Sequence, residues 1–221
     1  MSSIISIDRS LQIEDLGVID YLKAWQIQKD LQEQVIAEQR PNTLLLLQHP
    51  SVYTAGRRTQ AEDRPANGTE VIDVDRGGKI TWHGLGQIVG YPIVKLKNVT
   101  DVVGFVRELE SALIDVCKEF GVAAQRFCER SGVWIRDHKG DRKIAAIGLR
   151  VAKGVTMHGF ALNVCPDLSG FAEIIPCGIA NKPVGSLQQF LPNISLRQVQ
   201  QDLSRVFASV FGVELFSLDK D

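Results

Sequence analysis

Apolar residues follow Asp20 at Tyr21, Leu22, Trp25, Leu31 and Val35. This is close to the spacing of one helix face, with an aspartate placed to cap it, and it predicts a helix running to about Arg40. A second stripe, Val102, Phe105, Val106, Leu109, Leu113, Val116 and Phe120, starts after Thr100 or Asp101 and stops at Gly121. A third, Leu196, Val199, Leu203, Val206, Phe207 and Val210, starts after Ser195 and closes at Gly212. Between them the period shortens. Thr43–His49 is an apolar run ended by Pro50 and predicts a buried strand. Residues 71–75, 79–83 and 88–96 predict strands of a meander. Val133–Arg136 and Lys143–Ala152 predict strands joined by the polar turn Asp137–Asp141, and Lys153-Gly154 turns the chain into a further strand, Val155–Val164. The polar stretch Arg57–Gly68, with Pro65 and Asn67-Gly68, predicts a loop that orders around substrate. The pattern is α+β: a mostly antiparallel sheet with flanking helices. With no repeat or low-complexity linker, residues 1–221 are expected to form one domain.

Composition excludes several classes. Hydrophobic residues make up 44% of the 221, enough for a sizeable core. Formal net charge is −1, so no nucleic-acid partner is expected. No apolar run approaches the ~20 residues of a membrane span, and the first residues do not resemble an export signal, so a cytoplasmic protein is expected. The four cysteines, Cys117, Cys128, Cys165 and Cys177, form no CxxC pair. Neither a metal site nor a disulfide is therefore expected. Cys117 lies on a helical stripe and reads as core. Cys128 and Cys165 have no neighbours suited to chemistry. Cys177, between Pro176 and Gly178, is on a turn where its sulfur is reachable.

The most informative stretch is Arg76-Gly77-Gly78-Lys79-Ile80-Thr81-Trp82-His83. Paired glycines let backbone pass close to a ligand. Strand alternation then puts Thr81 and His83 on one face and Trp82 on the other. Alone, these residues read as a binding loop feeding a strand, the alternative being a tight hairpin with a core tryptophan. Lys143 opens an apolar strand, where a lysine is out of character, although a solvated hairpin end would also hold one. His158 either contacts substrate or holds strand ends together. His49, before Pro50, stabilises a turn or lies close to the site, and His138 belongs to a polar hairpin tip.

Several segments in one register, from about residue 15 to residue 211, resemble the octanoyl transferases of lipoate biosynthesis. They are LLLLQHPSVYTAGR at 44–57, RGGKITWHGLGQ at 76–87, KIAAIG at 143–148, HGFALNV at 158–164 and PCGI at 176–179. One departure is Gly185, where that family usually carries a threonine. The resemblance implies the fold of the biotin and lipoate protein ligase catalytic domains. It also implies Cys177 as nucleophile with Lys143 as partner. The acyl-binding positions it implies are 76–83, Ala146, Ile147 and Gly148, and Gly159, Phe160 and Ala161. Ile147 and Phe160 also read as plain core.

The implied reaction moves an octanoyl or lipoyl group from acyl carrier protein to a lysine of a lipoyl domain. Acceptors would be the lipoyl domains of 2-oxoacid dehydrogenase complexes and the glycine cleavage H protein. A cysteine thioester is the intermediate, and no cofactor is needed. Three rivals use the same residues differently. An ATP-dependent lipoate or biotin ligase would hold phosphates on the Arg76-Gly77-Gly78 loop. A non-catalytic acyl-binding module would leave Lys143 and Cys177 unrelated. A cysteine hydrolase would use His83 or His158 as base.

Overall fold

The computed structural model describes residues 10–128, 130–138, 140–174, 184–211 and 214–216. The chain runs β1 (Ser10–Val18), α1 (Tyr21–Ile36), β2 (Asn42–Gln48), β3 (Val52–Ala55), β4 (Val71–Asp73), β5 (Thr81–His83) and β6 (Gln87–Ile93). It continues through α2 (Val102–Glu119), β7 (Ala124–Phe127), β8 (Arg130–Asp137), β9 (Gly140–Ala152), β10 (Val155–Asn163), α3 (Leu196–Phe211) and β11 (Glu214–Phe216). Among these elements no helix is long and apolar enough to cross a membrane.

Eight strands form one sheet in the order β11-β1-β2-β6-β10-β9-β8-β7. Its pairings are antiparallel except that β1 runs parallel to both β2 and β11. The run Leu44–Leu47 is apolar throughout because β2 is covered on both faces. Leu44 and Leu46 join a core with residues of α2 and α3, while Leu45 and Leu47 join a second core with residues of α1. The sheet is thus the middle layer of three.

The predicted helices form, with shifted ends. Asp20 caps α1 by accepting from the Lys23 amide at 3.1 Å, but the helix stops at Ile36, four residues short of Arg40. Asp101 rather than Thr100 caps α2, accepting from Gly104 N at 2.8 Å. Ser195 Oγ accepts from Gln198 N at 3.3 Å at the start of α3, and Gly212 lies outside the described residues. The expected meander does not form. β4 and β5 flank β3 in a separate three-stranded sheet, with β4 parallel to β3, and only β6 enters the main sheet. This small sheet stands over the β6–β10 region and supplies one wall of the site.

Candidate active site

A cavity of about 340 Å³ opens between β9 and β10 on one side and the Arg76–Lys79 loop with β5 on the other. Arg76 builds the loop. Its Nη1 donates to the carbonyls of Gly77 (3.1 Å) and Lys79 (2.8 Å), and its Nη2 to the Thr54 carbonyl (2.8 Å) and Oγ1 (3.0 Å). The guanidinium therefore joins β3 to the loop by saturating backbone oxygens. On the far side, Gly77 N donates to Leu149 O at 2.9 Å, which seats the loop on β9. The seat needs a bare position below it. A Cβ on Gly148 would lie 2.9 Å from Gly77 O and 3.1 Å from Arg76 Cδ.

One wall is aromatic and polar. His49 is fully buried; its Nδ1–H donates to Ile19 O (2.8 Å), so its Nε2 accepts from the Tyr91 hydroxyl (2.8 Å). His83 stacks on Tyr21 with centroids 6.0 Å apart and donates from Nδ1 to Gln87 Oε1 at 3.2 Å, leaving Nε2 as an acceptor. Burial, then the neighbouring His49 and Arg76, hold the His83 pKa well below the usual histidine value. Burial also lowers that of His49 and pushes the Tyr21 phenol up to about 12. These rings are neutral hydrogen-bonding groups at neutral pH. Gln87 passes the chain onward to Asn163 Oδ1 (2.9 Å), whose amide holds Gly185 O (2.9 Å).

His158 lies against the cavity with φ +60, an uncommon left-handed conformation for a non-glycine residue. Its Nε2–H donates to Asp75 Oδ1 at 2.8 Å, and the other oxygen of Asp75 pairs with Arg150. The His158 hydrogen bond, more than any other influence, keeps the Asp75 carboxyl below its ordinary range, while burial outweighs Asp75 and lowers the histidine itself.

Lys143, at the outer end of β9, is only 9% exposed, which removes the solvated-hairpin reading. It lines both the main cavity and a small adjoining one of about 20 Å³ that Val184 also walls. Its Nζ lies 5.4 Å from the Trp134 ring centroid. The chain on the far side of Cys177 is fixed to it: Gly185 N donates to Lys143 O at 2.9 Å, and Val184 bridges Lys143 in parallel. At Gly185 a Cβ would lie 3.2 Å from Arg142 Cβ and from Gln189 Oε1, so the bare position suits this packing.

The cavity gathers Arg76, Gly78, Lys79, Thr81, His83 and Lys143. Ala146, Ile147, Gly148, Gly159, Phe160, Ala161 and His158 also line it. Gly77, Ile80, Trp82 and His49 stand behind its wall. Trp82 faces the opposite way, donating to Ser51 Oγ at 2.9 Å and meeting Phe171 edge-on, and Ile80 packs beside it. Cys177 lies outside the described residues. Of the other cysteines, burial pushes the Cys117 thiol up to about 12 and raises Cys165, so neither is poised as a thiolate. Tyr21, Arg58, Tyr91, Arg130 and Ser131 also line the cavity without having been singled out from the sequence. Tyr21 and Tyr91 carried no signal beyond an apolar stripe and a strand.

The fold is that of lipoate protein ligases. The chain superposes on a putative lipoate protein ligase from Thermoplasma acidophilum with TM-score 0.71 at 14% identity, covering 94% of this chain and 87% of that one. A lipoate-protein ligase A bound with ATP superposes with TM-score 0.69 at 15% identity, over 96% and 90% of the two chains. Residues 20–208 match the family model of the Lipoyl protein ligase A/B catalytic domain. The octanoyltransferase of Salinispora tropica is 58% identical over 179 residues, 80% of this chain and 84% of that protein. That of Mycolicibacterium smegmatis is 53% identical over 189 residues, 85% and 82% of the two chains. The chain belongs to the lipoyl protein ligase A/B catalytic-domain family and, within it, to the octanoyltransferases, which makes it an acyltransferase.

Proposed function

We propose that this enzyme moves an octanoyl group from acyl carrier protein to a lysine of a lipoyl domain by way of a thioester on Cys177. The observation that carries the reading is the placement of Lys143. Its amine is nearly buried, lines the cavity, and has the segment that follows Cys177 hydrogen-bonded to its own backbone. In the first half, the Cys177 thiolate attacks the donor thioester carbonyl. A new C–S bond forms, the old one breaks, and protonated Lys143 passes its proton to the departing sulfur, which leaves as the carrier thiol and leaves Lys143 neutral for the second half. In the second half, the acceptor amine attacks the acyl-enzyme. A C–N bond forms, the C–S bond to Cys177 breaks, and the amine's proton passes to Lys143 as base. A thioester already carries the activation that an amide requires, so no nucleotide is consumed.

The cavity suits such an acyl chain. Ala146, Ile147, Phe160 and Ala161 give apolar wall. Six buried methylenes at ~0.8 kcal/mol each contribute roughly 5 kcal/mol before ordering costs. The mouth suits an anionic carrier. Among the described residues, Arg58, Arg76, Lys79, Arg130 and Lys143 line the cavity and no carboxylate does, with Asp63 and Asp141 pairing Lys79 (3.0 Å) and Arg130 (3.1 Å) from outside the lining. Such a local field steers a negatively charged partner and raises its rate of encounter.

The test is incubation with octanoyl-acyl carrier protein followed by intact mass, then addition of a lipoyl domain in EDTA and apyrase. One octanoyl unit should appear on the enzyme, vanish in Cys177→Ala, and pass to the lipoyl domain undiminished. Amide formation only from free octanoate, ATP and Mg²⁺ would establish the ligase chemistry instead.

A further inference from the structure

The side chain of Lys143 runs directly over Gly132. A Cβ at residue 132 would lie 2.6 Å from Lys143 Cε, 3.3 Å from its Nζ and 2.4 Å from Ala145 O. Gly132 has φ +108, a region that side-chain-bearing residues rarely enter, and it directly precedes a β8–β9 register shift in which Val133 faces Ala145 and Trp134 faces Lys143, leaving Ile144 of β9 as the extra residue. The irregular backbone is held from below. Gly132 N donates to Glu110 Oε1 at 2.8 Å, and Glu110, on α2, is fully buried. Glu110 Oε2 accepts from Arg107 Nη1 at 2.6 Å, and Arg107 reaches the Cys128 carbonyl at 2.9 Å. A buried acidic side chain on the opposite face of the sheet thus grips the one backbone amide beneath the lysine.

We propose that the bare, positive-φ position at Gly132, clamped by Glu110, is the positioning device that lays the Lys143 stem flat and delivers its amine to the cavity. The inference rests on the reading of Lys143 as the base. Any residue other than glycine at position 132 would put a Cβ into the path of the stem. Without the clamp, a glycine with a wide choice of conformations would have no reason to keep this one. Trp134 completes the channel: its ring lies 5.4 Å from Lys143 Nζ, with the Arg130 guanidinium 4.8 Å away. Neither Gly132 nor Glu110 lines the cavity, so both act through the lysine.

Transfer from octanoyl-acyl carrier protein to a lipoyl domain is measured for Gly132→Ala, Glu110→Met and Glu110→Gln beside Lys143→Ala. Gly132→Ala and Glu110→Met should lower kcat at least tenfold while KM for the donor stays within about twofold. Glu110→Gln keeps an oxygen for the Gly132 amide and should restore most of kcat. A folded Gly132→Ala or Glu110→Met with full kcat overturns the inference, provided Lys143→Ala is inactive. A fully active Lys143→Ala overturns the base assignment instead. A readout independent of variant folding and of substrate comes from the unaltered protein. Its NMR spectrum should show a cross-peak between Gly132 Hα and Lys143 Hε, and absence of that cross-peak also overturns the inference.

Discussion

A base must shed its proton as well as carry charge, and Lys143 separates these two properties. Arginine keeps a cation but stays protonated, and its planar fork does not fit the path of a lysine stem. Lys143→Arg is therefore expected to lose transfer to the lipoyl domain almost as fully as Lys143→Ala, at least a hundredfold in kcat, a normal scale for general base loss. Near-normal turnover of Lys143→Arg would assign Lys143 to charge alone. His83 makes a different prediction, about pH. Its folded pKa lies well below the ordinary histidine value of about 6.5, mainly through burial. The unfolded chain then binds the extra proton, so stability from this site is fully present above about pH 6.5 and is lost as pH falls below it. Melting temperature should drop between roughly pH 6.5 and 5. His83→Asn, which cannot titrate, should show a shallower drop over that window. Equal slopes for the two proteins would remove His83 from the account.

The contact between the Arg76–Lys79 loop and β9 is a matter of elements. Gly148 leaves room for Gly77 O and for the Arg76 stem. Gly148→Ala inserts one methyl into that seam and should destabilise by about 1–3 kcal/mol, the usual scale of overpacking. Because the displaced loop bounds the cavity, KM for the acyl donor should rise severalfold, which donor-titration kinetics would show. An unchanged KM would mean that the loop tolerates the shift. Elements also explain what the sequence made legible. The stripes of the three helices and the run at β2 span enough residues for their periods to show. Thr81 and His83 separate from Trp82 because strand alternation holds even over three residues. β3, β4 and β5 are only three or four residues each, too short for a period to identify their sheet. Tyr21 and Tyr91 look like core because they are core, and what they meet in the site, His49 and His83 for the Tyr21 ring and His49 for the Tyr91 hydroxyl, comes from distant parts of the chain. Gly132 lies just before the predicted strand Val133–Arg136 and carries no sequence signal; its role shows only where the side chain of Lys143, eleven residues on, lies across it.

At the scale of the whole molecule, the site lies where a small sheet meets a large one, so its geometry depends on how the large sheet is bounded. The resemblance carried that architecture into view; periodicity alone stopped at α+β. The large sheet has β7 at one margin and β11 at the other. β11 is three residues long and pairs in parallel with Ser10, Leu11 and Gln12 of β1. A strand with an unoccupied row of amides and carbonyls is a template for another chain. The short β11 thus serves as a cover against self-association. Deleting residues 214–216 should leave the acyl cavity intact, since its described lining comes from α1, the 58–91 region and β8 to β10. The shortened protein should nonetheless scatter light and form soluble oligomers at concentrations where the full chain stays dispersed. A lysine placed at Leu11 would be a poor remedy because that side chain is fully buried. The expected outcome ties dispersal of the protein to the few backbone pairings of β11 with residues 10–12, far from its chemistry.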